Sequence, residues 1–443
     1  VRLEDNRVVL KRYAYRAYPT AGQRENLARL FGCVRVVYND YLAVRRGEWE
    51  ANRELPKDQR RYTPDGDVAK AVTTLAKRTP ERVWLSEVSA VPLQQAVRDA
   101  QAAYRAFFRS KAGQRRGRRV GAPRFKSKRS RSAARFTKTG FRLRQTCHGV
   151  GKVFLTKIGW VRFTLSRPLP SDPTSVTIVH NPDNTFEVSF VVEVEPAAAE
   201  PVHQGRVAGV DLGLTDFATI VYSDGSREKI KNPRLLQKAQ RRLRRAQQSL
   251  ARKQGPNKTS GCPSKNWQKQ QRKVARAHAK VTHQRNDFHN KLVHRLTYEN
   301  QGVVVEKLGV LGLSRAGAKG SRGRGLRRSV GDAGWGLFLT KLSDKTTELG
   351  LTFEAVNPAY TSQTCSQCGV IDGPKPLNIR VWKCGSCQAV LDRDYNAAVN
   401  IVAAGHAETL NACGADIRRN LATLGVADRC EARTHPSEPR AAA

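Results

Sequence analysis

The stretch CGSCQAVLDRDYNAAVNI, residues 384–401, places two thiols, two carboxylates and an Asn-Ala-Ala run side by side. Cys384-x2-Cys387 has a counterpart in Cys365-x2-Cys368, with fifteen residues between the pairs. Each C-x-x-C turn aims two sulfurs at one ion, and two such turns at this separation are the spacing of a four-thiolate zinc ribbon. Gly369 and Gly385 ease the turns. Four thiolates fill the tetrahedral shell of Zn²⁺ and leave no position for water, so this zinc is expected to hold structure and do no chemistry. The aspartates beside it then belong to a second site.

That second site draws on two further positions. Asp211 ends an apolar run in AGVDLG, and Glu306 ends VVVE in the same way. A charge at the edge of a buried strand is costly unless a metal or partner meets it. Together with Asp392 and Asp394 they could converge on a pair of divalent ions about 4 Å apart, the arrangement that activates water and stabilises the leaving oxygen in phosphodiester hydrolysis. Hard oxygen ligands select Mg²⁺ or Mn²⁺ over the zinc next door. A single Asp at a strand end is more often a cap or turn residue. All three positions occurring in one basic chain point to one site, and on residue type alone both Asp392 and Asp394 stay open.

The substrate class follows from charge. The 443 residues carry 79 Lys plus Arg against 38 Asp plus Glu, a net charge of +41. Such an excess points to a polyanion, because each phosphate neutralised releases counterions. A membrane surface competes poorly: the basic stretches lack a wide apolar face, no run reaches the roughly 18 apolar residues of a span, and no secretory signal opens the chain. A cytoplasmic bacterial protein is expected. The nine cysteines do not read as a disulfide framework; Cys33, Cys147, Cys262, Cys413 and Cys430 are taken as ordinary thiols.

Several elements must position these groups. Residues 8–18 alternate as a strand, and Pro19-Thr20 open a helix with Leu27, Leu30, Phe31, Val34, Val37 and Tyr41 on one face. A helix is expected near 67–77, and another over 92–110 with Pro92 at its start and Leu93, Val97, Ala100 and Tyr104 inward. The segment 111–136 is rich in Arg, Lys, Gly and Ser, with Phe125 and Phe136 interleaved, and reads as a phosphate-tracking segment with aromatic anchors. From about 137 to 200 short β runs follow, with a hairpin at NPDN, 181–184. Two β runs flank a Gly-Leu-Thr-Asp turn at 206–230. A basic helical pair follows, with Leu236, Ala239, Leu243, Ala246 and Leu250 as one seam and Val274, Val281, Phe288 and Leu292 as the other. Strand 302–308, a mobile basic segment 315–328, helix 332–349 and strand 351–357 complete the pattern.

GVDLG, VVVEKL, TSQTCSQCG, WKCGSC and DRDYNAAVNI resemble the RuvC-type core and zinc ribbon of the TnpB family, RNA-guided nucleases of bacterial insertion sequences. YPTAGQRENLARLFGCVRVVYN, WLSEV, LQQAVRDAQAAYRAFFR, GAPRFKSK, GDAGWGLF and ETLNACGADIR extend the resemblance over nearly the whole chain. It implies a multidomain α+β protein. A β-barrel wedge domain would span 1–19 and 111–200, with a helical recognition insert at 20–110. An RNase H-like (RuvC) α/β domain would span 206–361 and 388–419, with the zinc ribbon inserted at 362–387, and 420–443 would be a disordered tail.

The resemblance also implies that Asp211, Glu306 and Asp394 are the catalytic, Mg²⁺-binding residues, Asp394 being the carboxylate in D-x-N-A-A, and that Cys365, Cys368, Cys384 and Cys387 bind one Zn²⁺. The partners would be a guide RNA from the protein's own element and a double-stranded DNA target, one protein monomer per RNA. The protein would recognise a short target-adjacent motif and cut both strands, base pairing reading the sequence. Gln94, Gln95, Arg98, Tyr104, Arg124, Lys126 and Lys128 are the candidate nucleic-acid contacts, Gln94 because Gln pairs bidentately with adenine. The alternatives are a miniature type V CRISPR effector and a nuclease-inactive RNA-guided repressor, the latter disfavoured because all three carboxylates stand. A strand-joining transposase would use a similar triad, but the insert at 20–110 argues against it.

Overall fold

The computed structural model describes residues 9–115, 119–128, 131–145, 149–195, 200–256, 262–310, 312, 321–357, 359–376 and 379–413. The tail at 420–443 and residues 315–320 of the basic segment lie outside the described residues. The chain forms two units: one comprises 1–195 with 250–276, the other 196–249 with 277–443.

The first unit begins with β1 (Val9–Tyr18), whose alternation buries Tyr13, Tyr15 and Ala17. Six more strands follow: β2 (Ser132–Thr137), β3 (Phe141–Gln145), β4 (Val150–Leu155), β5 (Gly159–Thr164), β6 (Pro173–His180) and β7 (Phe186–Val194). Their order is β2-β6-β7-β1-β5-β4-β3, every pairing antiparallel. The edge strands β2 and β3 are separated in sequence only by the turn Lys138–Gly140, which brings the two margins of the sheet together. The sheet is therefore a near-barrel, and the expected barrel stops short of hydrogen-bonded closure. Tyr15, Phe163 and Phe190 fill it, with ring centroids 5.4–5.9 Å apart. Gly151 makes room, since a Cβ there would lie 2.2 Å from Phe163 Cζ. The NPDN turn forms as read, with Asn184 at φ 68° and Asp183 accepting from the Thr185 N–H.

Three helices pack on this sheet. Thr20 and Gln23 form a reciprocal capping box that starts α1 (Ala21–Asn52). The short α2 (Asp65–Lys70) continues through a π turn and a 3-10 turn to Arg78. Helix α3 (Ala90–Lys111) starts two residues before Pro92, which sits in the first turn where a missing N–H is tolerated. Helices and sheet share one hydrophobic core, so the expected insert at 20–110 does not have a core of its own. The reading of 111–136 needs correction as well. Its last residues are strand β2, and Phe136 is fully buried in the core.

The second unit carries a five-stranded sheet of β8 (His203–Leu212), β9 (Asp216–Tyr222), β10 (Arg227–Lys231), β11 (Asn300–Glu306) and β12 (Thr352–Val356), in the order β10-β9-β8-β11-β12. β8, β9 and β10 are antiparallel; β11 lies parallel to both β8 and β12. The long basic helices are α4 (Leu235–Ala251) and α5 (Lys265–Glu299). The single helix expected at 332–349 is two, α6 (Ser321–Ala333) and α7 (Trp335–Leu349), because Gly334 adopts φ 67° between them. Residues 321–328, expected to be mobile, form the start of α6. A hairpin, β13 (Val381–Lys383) and β14 (Val390–Asp392), leads into α8 (Arg393–Cys413).

Helices cover both faces of the sheet, and alternation along β11 decides which residues meet them. Val303 and Val305 face a core with Leu296, Phe217 and Phe338, the last two meeting edge to face at 5.3 Å. Val304 faces Ile401 of α8. α8 lies directly on the strands because two glycines let it: a Cβ on Gly209 would be 2.3 Å from Val402 Cγ2 and 2.8 Å from the Ala398 carbonyl, and one on Gly405 would be 2.4 Å from Val304 Cγ2.

Gly209→Ala is expected to destabilise the second unit by about 1–3 kcal/mol through overpacking, whereas Gly331→Ala, in open space within α6, should stabilise by roughly 0.5–1 kcal/mol. Urea denaturation of the two variants checks this; a wild-type midpoint for Gly209→Ala would mean that α8 is not held at that distance.

Candidate active site and metal centre

The four cysteines come together as the spacing requires. Their sulfurs all lie within 4.8 Å of one another, with Cys365–Cys387 at 3.6 Å and Cys368–Cys384 at 3.8 Å. A tetrahedral ion with Zn–S bonds of about 2.3 Å needs sulfurs about 3.8 Å apart, so the residues fit zinc. In the first turn the Gly369 N–H donates to the Cys365 carbonyl and Gly369 takes φ 73°. In the second, Gln388 at φ 62° donates to the Cys384 carbonyl. Cys365, Cys384 and Trp382 form the small buried centre.

The carboxylates are placed by sheet register. Val304 lies beside Gly209 and Val305 beside Val210, so the next step sets Glu306 beside Asp211 at the carboxyl ends of two parallel strands. Alternation gives Asp211 the same face as Gly209, and Glu306 the same face as Val304. Both of those residues face α8. Asp394 stands in the first turn of α8, where the helix dipole favours an anion. Burial pushes the Asp211 carboxyl up to about 7; the charges of Glu306 and Asp394 push the same way, against Arg393 and Arg380. Burial also raises Glu306. This hard-oxygen set, with Asp211 short of positive charge, suits a divalent cation. Among the described residues, only the cysteines form a set of three or more ligand atoms gathered within 4.8 Å, so the carboxylates converge more loosely than the thiolates.

The structure separates the two aspartates that residue type left open. Asp392 Oδ1 accepts from the N–H groups of Asp394, at 3.0 Å, and Tyr395, at 3.1 Å, capping α8. Its other oxygen meets Lys229 Nζ at 2.8 Å. Burial works against ionisation, but Lys229 and the two N–H groups hold the Asp392 carboxyl below its usual range. Asp394 is instead paired with Arg380, at 3.1 Å, and more distantly with Lys229, at 3.9 Å. Arg380 also donates to Thr215 Oγ1 at 3.3 Å.

The Asn-Ala-Ala run acquires a physical meaning. Buried Asn396 accepts from the Ser366 N–H and donates to the Thr364 carbonyl, both at 2.8 Å. Asn400 donates to the carbonyls of Thr361 and Thr364. The helix that bears Asp394 is thus bonded to the segment that bears Cys365. Ala397 and Ala398 are the small residues that permit α8 to approach the sheet. Sequence reasoning missed Arg380, Lys229 and both asparagine contacts. One Arg among 79 basic residues carries no signal, but the polar Asn at helical spacing on a buried face did.

The candidate nucleic-acid contacts fall in the first unit and divide by exposure. Gln94, Arg98, Arg124 and Lys128 are exposed. Gln95 is only 5% exposed, on the inward face of α3, so it is not a base-reading side chain on this surface. Tyr104 is half-buried and stacks on Phe108, with centroids 6.1 Å apart. Lys126 is committed elsewhere: its ammonium lies 3.7 Å from the Tyr38 ring centroid, and its backbone is held on both sides by Asn39.

Comparison with known proteins agrees with this arrangement. Residues 189–316 match a family model of the OrfB IS605 type described as "Probable transposase", and 335–401 match a "Cas12f1-like, TNB domain". Residues 8–54 match the "Helix-turn-helix domain" of the OrfB type, although here they form one strand and one continuous helix. A Streptomyces pristinaespiralis protein named "Putative RNA-guided DNA endonuclease" is 38% identical over 93% of this chain and 92% of its own. InsQ of Escherichia coli, with the same description, is 32% identical over 91% and 94%. A cryo-EM structure of a Cas12f1–sgRNA–target DNA complex superposes with a TM-score of 0.52 at 13% identity, covering 89% of this chain and 98% of the other, which shows a shared fold. These matches define an OrfB-type protein of IS605-like elements. The chain belongs to the TnpB family. No described helix is long and apolar enough to cross a membrane.

Cys365→Ser should lower bound zinc below one equivalent, read by elemental analysis, and reduce thermal stability; full zinc content would exclude Cys365 as a ligand. A second expectation concerns pH. Asp211 has a folded value of about 7 and an unfolded value near 3.9, so folding favours its protonated form. Its stabilising contribution is complete below the unfolded value and is lost as pH rises through 7. In EDTA, the melting temperature of the wild type relative to Asp211→Asn should therefore rise between pH 8 and pH 6, and parallel curves would show that Asp211 is not buried against negative charge.

Proposed function

We propose that this protein is an RNA-guided DNA endonuclease that cuts at Asp211, Glu306 and Asp394. The observation that carries the reading is the placement of these carboxylates, from β8, β11 and the first turn of α8, on one face of one sheet. The strand order of the second unit, three antiparallel strands followed by two parallel ones, supports reading it as an RNase H-like (RuvC) domain with the ribbon at 362–387 inserted before α8. Full-length relatives named as RNA-guided DNA endonucleases support the same activity.

Asp211, Glu306 and Asp394 would hold Mg²⁺ or Mn²⁺, which when bound supplies an activated water and charge stabilisation at the leaving oxygen. The chain's own part is to present these oxygens. Parallel register fixes Asp211 against Glu306, Asp392 caps α8 so that Asp394 projects from its first turn, and the first cysteine turn anchors the helix through Asn396. The excess of basic residues suits guide RNA, heteroduplex and displaced strand together. In the first unit the near-barrel would serve as the wedge domain and α1–α3 as the recognition segment. Exposed Gln94 and Arg98 on α3 would read the target-adjacent motif, and Arg124 and Lys128 would contact phosphate. A guide transcribed from the protein's own element is favoured over a CRISPR RNA, because the chain belongs to the TnpB family.

The test is cleavage of a plasmid target by the protein purified with its copurifying RNA. Asp394→Asn and Asp211→Ala should each lose activity by at least about a thousandfold while retaining the RNA. Asp392→Asn should keep most activity, because asparagine caps a helix about as well as aspartate. If Asp392→Asn were the inactive variant and Asp394→Asn the active one, the assignment of the third carboxylate would be reversed. Cleavage of plasmid without any copurified RNA would end the guided reading.

A further inference from the structure

In the first unit, the C-terminal halves of α1 and α3 and the loop before α2 enclose a cleft of about 790 Å³, distant in sequence from Asp211, Glu306, Asp394 and the four clustered cysteines. Three aromatic side chains stand open at it: Trp49 is 57% exposed, Tyr62 53% and Phe108 57%. A folded monomer rarely leaves so many large rings uncovered at one place unless something lies on them. Tyr104 backs Phe108 at 6.1 Å, and Phe107 lies 5.2 Å from Phe108.

The backbone beneath Tyr62 is fixed. The loop that carries Tyr62 is bonded on either side of it: Asn52 binds the N–H and carbonyl of Arg61, and Glu48 and Arg45 bind the N–H and carbonyl of Thr63. The floor of the cleft satisfies itself. Tyr41 donates to Asp65, and Arg45 is shared among Tyr41, Glu48 and Asp65. Arg46 lies over the Phe125 ring at 4.2 Å. What remains to offer a ligand is ring surface, with exposed Arg105 and Lys111 beside it and Glu50 as the opposing charge.

We infer that this cleft binds an unpaired nucleotide, its base stacked on Trp49, Tyr62 or Phe108 and its phosphate against Arg105 and Lys111. Flat rings with neighbouring cations are the chemistry of single-stranded nucleic acid; bases inside a duplex have no free face to stack. A second copy of the chain is the poorer occupant, because each copy carries a net charge of +41 and a two-fold contact would set Arg105 and Lys111 of both copies near one another. The inference stands apart from the cleavage reading, since it needs none of the carboxylates.

The test uses the full chain and fluorescence anisotropy with oligo(rU) and oligo(dT) of about 12 nucleotides and a duplex of the same length. Trp49→Ala and Phe108→Ala should each weaken single-strand binding about tenfold, with duplex binding unchanged and Trp49→Phe largely restored. Lys111→Ala should lower the salt slope by about one, and Trp49→Ala should leave it unchanged, which separates stacking from charge. Loss confined to oligo(rU) assigns the cleft to RNA; loss confined to oligo(dT) assigns it to an opened DNA strand; equal loss assigns it to either. Unchanged affinity for both oligonucleotides in folded Trp49→Ala overturns the inference. So does a dimer of the wild type that Trp49→Ala dissociates in sedimentation.

Discussion

Holding Asp211 beside Glu306 and within the field of Asp394 is the constraint to which the second unit is built. Like charges gathered at a part-buried strand end repel and lose hydration, and burial alone already drives Asp211 towards its neutral form. Such an arrangement persists only if the backbone cannot relax away from it. Three features prevent that: the parallel register of β8 and β11, the glycine contacts that seat α8 on those strands, and the capped first turn that begins the helix at a fixed residue. None of them involves the carboxylates' own attraction to anything.

A zinc held by the four thiolates would enter this design at one remove. Two buried and two exposed cysteines would then give the ribbon a centre that its few apolar residues, Trp382 among them, could not provide. The ribbon's value to the site lies in where it ends. β14 leads through Asp392 into α8, and Asn396 and Asn400 bond back to the first cysteine turn. The thiol cluster and the carboxylates that stand side by side in the sequence are thus separate sets of residues, joined in mechanics.

Much of this was legible in the sequence because the signals are local. C-x-x-C spacing, the NPDN turn and the Thr20 start of α1 each depend on a few neighbouring residues, and each took the expected local form. The failures are non-local. Phe136 looked like an anchor in a basic segment because nothing in its neighbours shows that β6 pairs with it. Gln94 and Gln95 are equivalent until the rotation of α3 is set by its contacts. The break at Gly334 was hidden in an otherwise helical pattern. Asp392 and Asp394 could be told apart only by resemblance, since their difference lies in which one meets the helix's N–H groups.

The ion pair between Arg380 and Asp394 gives the site a particular electrical character. A divalent cation held by Asp394 would meet a guanidinium already in place, so its binding there would exchange one cation for another. Arg380 is carried by the segment running between the two cysteine turns and also bonds Thr215, so a guanidinium displaced from Asp394 would stay tethered beside it. Occupancy of the carboxylates and the positive charge beside them would in this way be two readings of a single side chain's position.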